Sequence, residues 1–279
     1  MTILEPDFEI YKQSGYTEKD IKKFIEKCAR LAYKSEDRIT DDSYEKFVQM
    51  LIDKNHDRPL EFGTVHLVMD VGSYYTLVIN LVDIDHFSSL WMRANIVDNS
   101  AYITTNYRYY MDIIKWTEMY GWSVDVRKCF ADYDNPYFIQ RHTVKFIVSR
   151  AIADEFRTHV GFSHLAESTR YCNYSKDKFD NEISVIKPQH VHTSPTTVDD
   201  NSILWSQSMF QSERNYMNLL RAGWTPQQAR GVLQFDIKTE LLVCGFGSEW
   251  MNFFYRRTAP DAHPDAQYIA NKVCEVLEV

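Results

Sequence analysis

Two hydrophobic periods interleave along this chain without a fixed rhythm, and that limits the folds open to it. Apolar alternation marks Val65, Leu67 and Met69 against His66 and Val68, and further β-rich or continuously apolar runs stand at 74–82, 89–96, 143–148 (TVKFIV) and 236–246 (DIKTELLVCGF). Helical spacing marks 17–33, 42–53, about 105–120, a short piece at 124–131, and then 202–221, 247–257 and 264–277. Strands and helices do not alternate one for one, so a doubly wound parallel sheet is not expected. The reading is an α/β protein of the α+β type. Its mixed, largely antiparallel sheet, drawn from strands near Val65, Tyr75, Thr143 and Asp236, is flanked by helices.

Local signals sharpen some ends. Thr17 followed by Asp20 marks a helix start, and Thr225-Pro226 starts a short helix with proline at its favoured first position. The longest helical pattern, 202–221, puts Ile203, Leu204, Met209, Phe210, Tyr216, Met217, Leu219 and Leu220 on its apolar side, and Gly223 ends it. The segment 183–197, rich in Pro, His, Ser and Thr, reads as a connecting loop. His190 and His192 in that loop have no third ligand at a recognisable spacing, so no metal site is expected.

A chain of 279 residues, 44% hydrophobic, can bury a substantial core, and one domain over 1–279 is expected, with N-terminal helices in 1–55 and a helical portion near 203–233. The net charge of −8 argues against a surface that coats a nucleic acid polymer, although a few converging arginines would still hold an anionic nucleotide. No apolar run approaches the roughly 20 residues that span a bilayer, and no signal peptide is evident, so a cytoplasmic location is expected. The five cysteines are widely spaced with no Cys-x-x-Cys pair, which suggests reduced thiols.

Polar chemistry concentrates in 154–178, DEFRTHVGFSHLAESTRYCNYSKDK. A lone His159 precedes Glu167, Ser168, Thr169, Arg170 and Tyr171. From residue types alone this is a site or a solvated turn. Arg170, Arg230 and Arg257 lie on different elements. If they converge, their forked guanidiniums with Ser168 suit a phosphate and a planar oxo-heterocycle; otherwise they are three surface arginines in separate ion pairs.

The stretch resembles the signature of flavin-dependent thymidylate synthases, the ThyX family, written Arg-His-Arg, seven residues, Ser. Here Thr158-His159-Val160 is followed by seven residues and Ser168, and the run from Ser168 to Phe179 is similar to longer family members. The resemblance extends to His56, Pro59 and Glu61 before the first clear strand, to Thr104, Thr105, Asn106 and Arg108, to Ala229-Arg230-Gly231-Val232-Leu233, and to Lys238-Thr239-Glu240-Leu241. It ends with Phe253-Phe254-Tyr255-Arg256-Arg257 and Ala262-His263-Pro264 with Gln267. Phe62, Gln234 and Arg256 depart from the family pattern.

The resemblance implies reductive methylation of dUMP to dTMP with methylenetetrahydrofolate, FAD and NADPH, in a homotetramer. It assigns Arg257 and Arg230 to catalysis, and Glu167, Ser168, Arg170 and Arg230 to the substrate. His56, Glu61, Asn106, Arg108, His159, Asn252, Arg257 and His263 are assigned to the flavin. No cysteine nucleophile is implied. Thr158 and Val160 replace two arginines whose charge-assisted contacts are each worth on the order of 1.5–3 kcal/mol. Arg157 or His164 is expected to fill the vacated space. The alternatives are another C5 modification of a pyrimidine nucleotide, or a non-catalytic nucleotide-binding or structural subunit.

Overall fold

The computed structural model describes residues 1–85, 88–194, 196–277 and 279. Strands β1 (Thr2–Leu4) and β2 (Asp7–Tyr11) precede helices α1 (Glu18–Tyr33) and α2 (Ser43–Asp53). A 3-10 turn, Arg58–Phe62, leads into β3 (Thr64–Asp70), α3 (Val71–Ile84), α4 (Ser88–Trp91), β4 (Met92–Val97), β5 (Ser100–Asn106), α5 (Tyr107–Tyr120) and β6 (Phe130–Ala131). Then follow β7 (Arg141–Ser149), α6 (Arg150–Phe156), β8 (Ser163–Ala166), β9 (Ser184–Ile186), α7 (Asp200–Arg221), α8 (Pro226–Ala229), β10 (Lys238–Phe246), α9 (Gly247–Arg257) and α10 (Pro264–Cys274).

The fold class is the expected one, mixed α/β with antiparallel sheets flanked by helices, but the expected strands divide between two sheets. One has the order β4-β5-β3-β6 and the other β2-β7-β10-β8, and every pairing in both is antiparallel. A parallel pair, β1 with β9, completes the strands. Helix α1 lies between the two sheets. Its Ile21 and Ile25 join the core of the first sheet with Leu67 of β3, Leu51 of α2 and Leu77 of α3, while Phe24, Cys28 and Leu31 meet Leu242 and Cys244 on the second. The opposite face of the second sheet carries Phe146, Leu241 and Val243 against Phe156 of α6, Trp250 and Phe253 of α9, and Ile269 of α10. Each such fully buried side chain contributes on the order of 1.5–3 kcal/mol, so the sheet that carries the motif is clamped from both sides.

Several expected elements change type. The run 74–82 is helix, not strand: Asp70 caps α3 by accepting from the Ser73 amide at 2.9 Å, and Leu77 and Leu81, one turn apart, are both buried. Burial at helical spacing outweighs the β propensity of the tyrosines and isoleucine there. The strand read at 89–96 begins only at Met92, and 124–131 holds a 3-10 turn, Val126–Cys129, followed by β6. Residues 100–106 are strand, and the helix starts after Asn106, whose Oδ1 accepts from the Tyr109 amide at 2.8 Å. The connecting segment 183–197 contains β9.

On α7 the buried face is Ser202, Met209, Ser212, Tyr216 and Met217, whereas Ile203, Leu204 and Phe210 are exposed. Ser202, Met209 and Tyr216 are seven residues apart and form the seam. Among the described residues no helix is long and apolar enough to cross a membrane, and no group of three or more His, Cys, Asp or Glu side chains is placed to hold a metal ion.

Candidate functional site

Helix α6 is capped by Ser149, whose Oγ accepts from the Ile152 amide at 3.3 Å, and it stops at Phe156, just before the motif. Gly161 then turns the chain with φ of +89°, a left-handed conformation that favours glycine. A Cβ there would also meet Glu249 Cγ at 2.8 Å. The turn sends Phe162 edge-on against Trp250, ring centroids 4.8 Å apart, and starts edge strand β8 on β10.

This geometry presses His159 into the protein. Its ring lies 5.0 Å from that of Phe253, and its Nε2 accepts from Arg257 Nε at 2.8 Å. Arg257 Nη1 donates to Glu155 Oε2 at 2.6 Å, and Nη2 donates to the Glu155 carbonyl at 2.8 Å. Burial, then the charges of Arg257 and Arg256, push the His159 imidazole down to about 4, so the ring is neutral at ordinary pH.

Around it opens a cleft of about 570 Å³, lined by Arg58, Glu61, Trp91, Arg108, Arg157, His159, Val160, Phe162 and His164 among others. Arg108 donates to Glu61 at 2.5 Å, and Arg157 pairs with Asp154 at 3.3 Å. His164 is brought down to about 4, chiefly by burial, and its Nε2 is buried without a hydrogen-bond partner among the described residues. A second cavity, about 310 Å³, shares Glu61, Trp91 and Arg108 and adds Asn106, Asp112 and Trp116. Four of the residues that the sequence assigned to a cofactor, Glu61, Asn106, Arg108 and His159, therefore border two adjoining cavities. The other assigned positions lie elsewhere. His56 is exposed with Nδ1 3.5 Å from the Tyr33 hydroxyl, Asn252 is on the outer face of α9 and accepts from Arg256, and His263 caps α10 by accepting from the Asp265 amide at 3.2 Å.

The residues assigned to substrate form a second locus at the far end of β8. Arg170 Nε donates to Gln227 Oε1 at 2.9 Å, and Arg230 Nη1 donates to Thr169 Oγ1 at 3.2 Å. Ser168 Oγ accepts from the Arg170 amide at 3.4 Å. Ser168, Arg170 and Arg230 thus converge, both guanidiniums exposed, where the loop after β8 meets α8. Arg257 is not with them. Four strand residues separate the loci, about 13 Å of chain.

Glu167 also departs from this group. Its side chain turns inward, where it accepts from the Tyr174 hydroxyl and from Lys238 Nζ, each at 3.0 Å. Lys238 and Lys34 in turn hold Glu240, at 2.7 and 2.5 Å. This four-charge cluster lines a cleft of about 520 Å³. Sequence reasoning missed Glu155 and Gln227 as partners of the site, although Thr169 stood in the polar run it singled out. Glu155 stands four residues before His159, a spacing that reads as one helical face, although α6 itself stops at Phe156. Gln227 had no such signal.

The sequence profile of the family described as thymidylate synthase complementing protein matches residues 139–279. No curated protein matches the chain. Among solved structures it is similar to a UMP/dUMP methylase PolB from Streptomyces cacaoi bound with 5-Br UMP, at 12% identity over 98% of this chain and 89% of that one, TM-score 0.43. The same protein bound with 5-Br dUMP gives 12% identity over 98% and 90%, TM-score 0.42. A flavin dependent thymidylate synthase ThyX from Helicobacter pylori, complexed with FAD and dUMP, gives 17% identity over 50% and 68%, TM-score 0.38.

Proposed function

The chain belongs to the thymidylate synthase complementing protein family, ThyX, and from that premise we propose that it is an FAD-dependent enzyme that methylates C5 of dUMP, with methylenetetrahydrofolate as carbon donor and NADPH as reductant. The observation that carries the reading is the convergence of Ser168, Arg170 and Arg230 on one exposed surface, held by Gln227 and Thr169. Two guanidiniums beside a hydroxyl offer forked donors to a phosphate or to pyrimidine oxygens. Donors held there would stabilise the negative charge that spreads onto those oxygens as C5 becomes nucleophilic.

The cleft at His159 fits a flavin chemically. Arg58, Arg108 and Arg157 suit a pyrophosphate, Trp91 and Phe162 give it apolar wall, and its volume of about 570 Å³ lies within the range of small-molecule sites. A bound flavin would supply the carbon-transfer and hydride chemistry. The protein's share is to orient the ring, exclude water and present fixed donors. Within this reading Glu61, Asn106, Arg108 and His159 face the cofactor, and a homotetramer brings further copies to complete the cleft.

A second reading, a nucleotide-binding subunit without turnover, is favoured by one observation. Thr158 and Val160 stand in place of the motif arginines, and Arg257 is engaged by Glu155 and His159 instead of facing the Arg170 locus. The absorption spectrum of purified protein, followed by tritium release from C5-labelled dUMP with added FAD, distinguishes the two. Bound flavin with dUMP-dependent release supports the enzyme. A protein that neither carries nor takes up FAD yet binds dUMP supports the subunit.

A further inference from the structure

Arg257 leaves the last turn of α9 and commits its three guanidinium nitrogens to the end of α6. Nη1 and Nη2 hold the carboxylate and the carbonyl of Glu155, and Nε donates to His159 Nε2. Arginine keeps its proton in proteins, so in the last contact the imidazole must accept. An imidazole that accepts at Nε2 is neutral and carries its hydrogen on Nδ1. Among the described residues His159 Nδ1 has no hydrogen-bond partner, and the ring borders the 570 Å³ cleft.

We propose that Glu155 and Arg257 are positioning residues that hold His159 as the neutral Nδ1–H tautomer, so that the cleft receives an N–H donor for an oxygen or imine nitrogen of a planar ring bound there. Thr158 is part of the device. Its hydroxyl donates to the Glu155 carbonyl at 2.7 Å and lies 3.4 Å from Arg257 Nη2. An arginine at 158 would compete with Arg257 for Glu155, and threonine leaves the carboxylate to one guanidinium.

The charges around the ring act in the same sense. Arg256 and Arg257 come from α9, Arg157 from the motif segment, Arg58 from the 58–62 turn and Arg108 from α5; Asp154, Glu155 and Glu61 oppose them, and His164 stands nearby on β8. Glu155 and Asp154 are each paired with an arginine, as is Glu61, so little negative potential is left to favour an imidazolium.

The ligand named here, a planar ring in the cleft, rests on the flavin reading above, whereas the tautomer does not. Histidine-ring nitrogen–proton correlation spectra of uniformly 15N-labelled protein, with H159Q for assignment, report it directly. In the wild type, Nδ1 should be pyrrole-like, Nε2 pyridine-like, and the ring should not titrate between about pH 5.5 and 8. In R257Q the ring should mix tautomers, and its titration should rise from about 4 while staying below the ordinary value of about 6.5, because burial and Arg256 still act on it. E155Q, with its side chain more exposed and its shape kept, should mix tautomers as well. Amide spectra check that both variants fold. A wild-type ring protonated on Nε2, or one titrating near 6.5, overturns the proposal, and so do two folded variants with unchanged ring spectra.

FAD titration supplies the separate arm. Affinity should fall by about three- to tenfold in both variants, the scale of one neutral hydrogen bond. A wild type that holds the Nδ1–H tautomer and binds no FAD ends the flavin reading and leaves the positioning role. One that binds FAD with the other tautomer does the reverse.

Discussion

Replacing Glu240 by glutamine tests whether the buried four-charge cluster holds the loop 168–171 in place. Burial by itself would push the Glu240 carboxyl up, but Lys238 and Lys34, by charge and hydrogen bond together, bring it down to about 2 from an ordinary 4.5. A carboxyl held that far below its unfolded value is worth about 3 kcal/mol at neutral pH, at about 1.4 kcal/mol for each factor of ten. The side chain is almost wholly enclosed, so solvent screening takes little from that figure.

The sign follows from linkage. The folded pKa is depressed, so the stabilisation is complete above about 4.5 and is lost as pH falls toward about 2. At pH 3 about 1.4 kcal/mol of it should remain. Urea unfolding of wild type and E240Q from pH 3 to 7 measures the difference directly. The cost of the substitution should be about 3 kcal/mol at pH 7 and shrink by about half at pH 3. The Glu240 carbonyl also accepts from the Glu167 amide at 2.8 Å, one residue before Ser168, so the variant should expose 168–171 to faster amide exchange. A cost that stays constant across this range would mean that packing, not charge, carries the effect, and the linkage argument would fail.

Arg170→Gln and Arg230→Gln should each weaken dUMP binding by about 10- to 100-fold, the scale of one charge-assisted contact, as read by calorimetry; two folded variants with wild-type affinity would remove the nucleotide site from this locus. Cys172→Ser should cost stability, because the thiol is buried, yet leave any dUMP-dependent tritium release intact, and loss of release in the folded variant would contradict a flavin route. His66, stacked between Tyr16 and Phe138 and brought down to about 4 mainly by burial, should cost the wild type about 3 kcal/mol as pH falls from 6.5 to 4, since the unfolded chain binds that proton first. His66→Phe should abolish that part of the acid slope in urea unfolding. Val160→Arg should change stability by no more than about 0.5 kcal/mol, because Val160 is 77% exposed at the cleft wall, and should tighten FAD in a direct titration if the cleft holds flavin.

That exposure corrects an expectation drawn from the sequence, that another side chain had filled the space an arginine would take at 160. His164 and Arg157 do border the cleft, but neither closes over Val160. What the sequence did give away was local. Thr17 caps α1 through the Asp20 amide, α9 runs from Gly247 to Arg257 as its pattern says, and β7 and β10 follow from their apolar runs. The miss at α3 has the opposite cause. Tyr74, Tyr75, Val78 and Ile79 favour strand as residue types, and only the burial of Leu77 and Leu81 against β3 and β5 settles the backbone as helix. The division into two sheets was illegible for the same reason, since it depends on α1 inserting one face into each core.

At the site, the register of His159 and Ser168 was readable because it lies within ten residues. The Arg257 contacts were not. Glu155 and Arg257 are 102 positions apart, and what brings them together is the β7–β10 ladder, from which α6 and α9 depart at opposite ends of the paired strands. The pleat decides the rest. Alternation along β8 puts Ser163 and Leu165 toward α1 and His164 and Ala166 toward α6 and α9, and the chain then delivers Glu167 inward to Lys238 before Ser168 reaches the surface.

Strand β8 therefore ties the two loci. One end follows the segment held by Arg257 through Glu155 and His159, and the other is held by Lys238 through Glu167 and by the Glu240 carbonyl. Between them β8 pairs with β10 over Leu241 to Cys244, a stretch buried on both faces, which leaves it little freedom to slide. A four-residue strand fixed at both ends sets the distance between the His159 cleft and the Ser168–Arg170 surface. Under the carbon-transfer reading proposed above, a fixed relative placement of the two loci is what the reaction would require. The ion pairs Arg257–Glu155 and Lys238–Glu167 thus anchor the two ends of β8, and the Arg170 and Arg230 guanidiniums stay exposed at the surface beyond it.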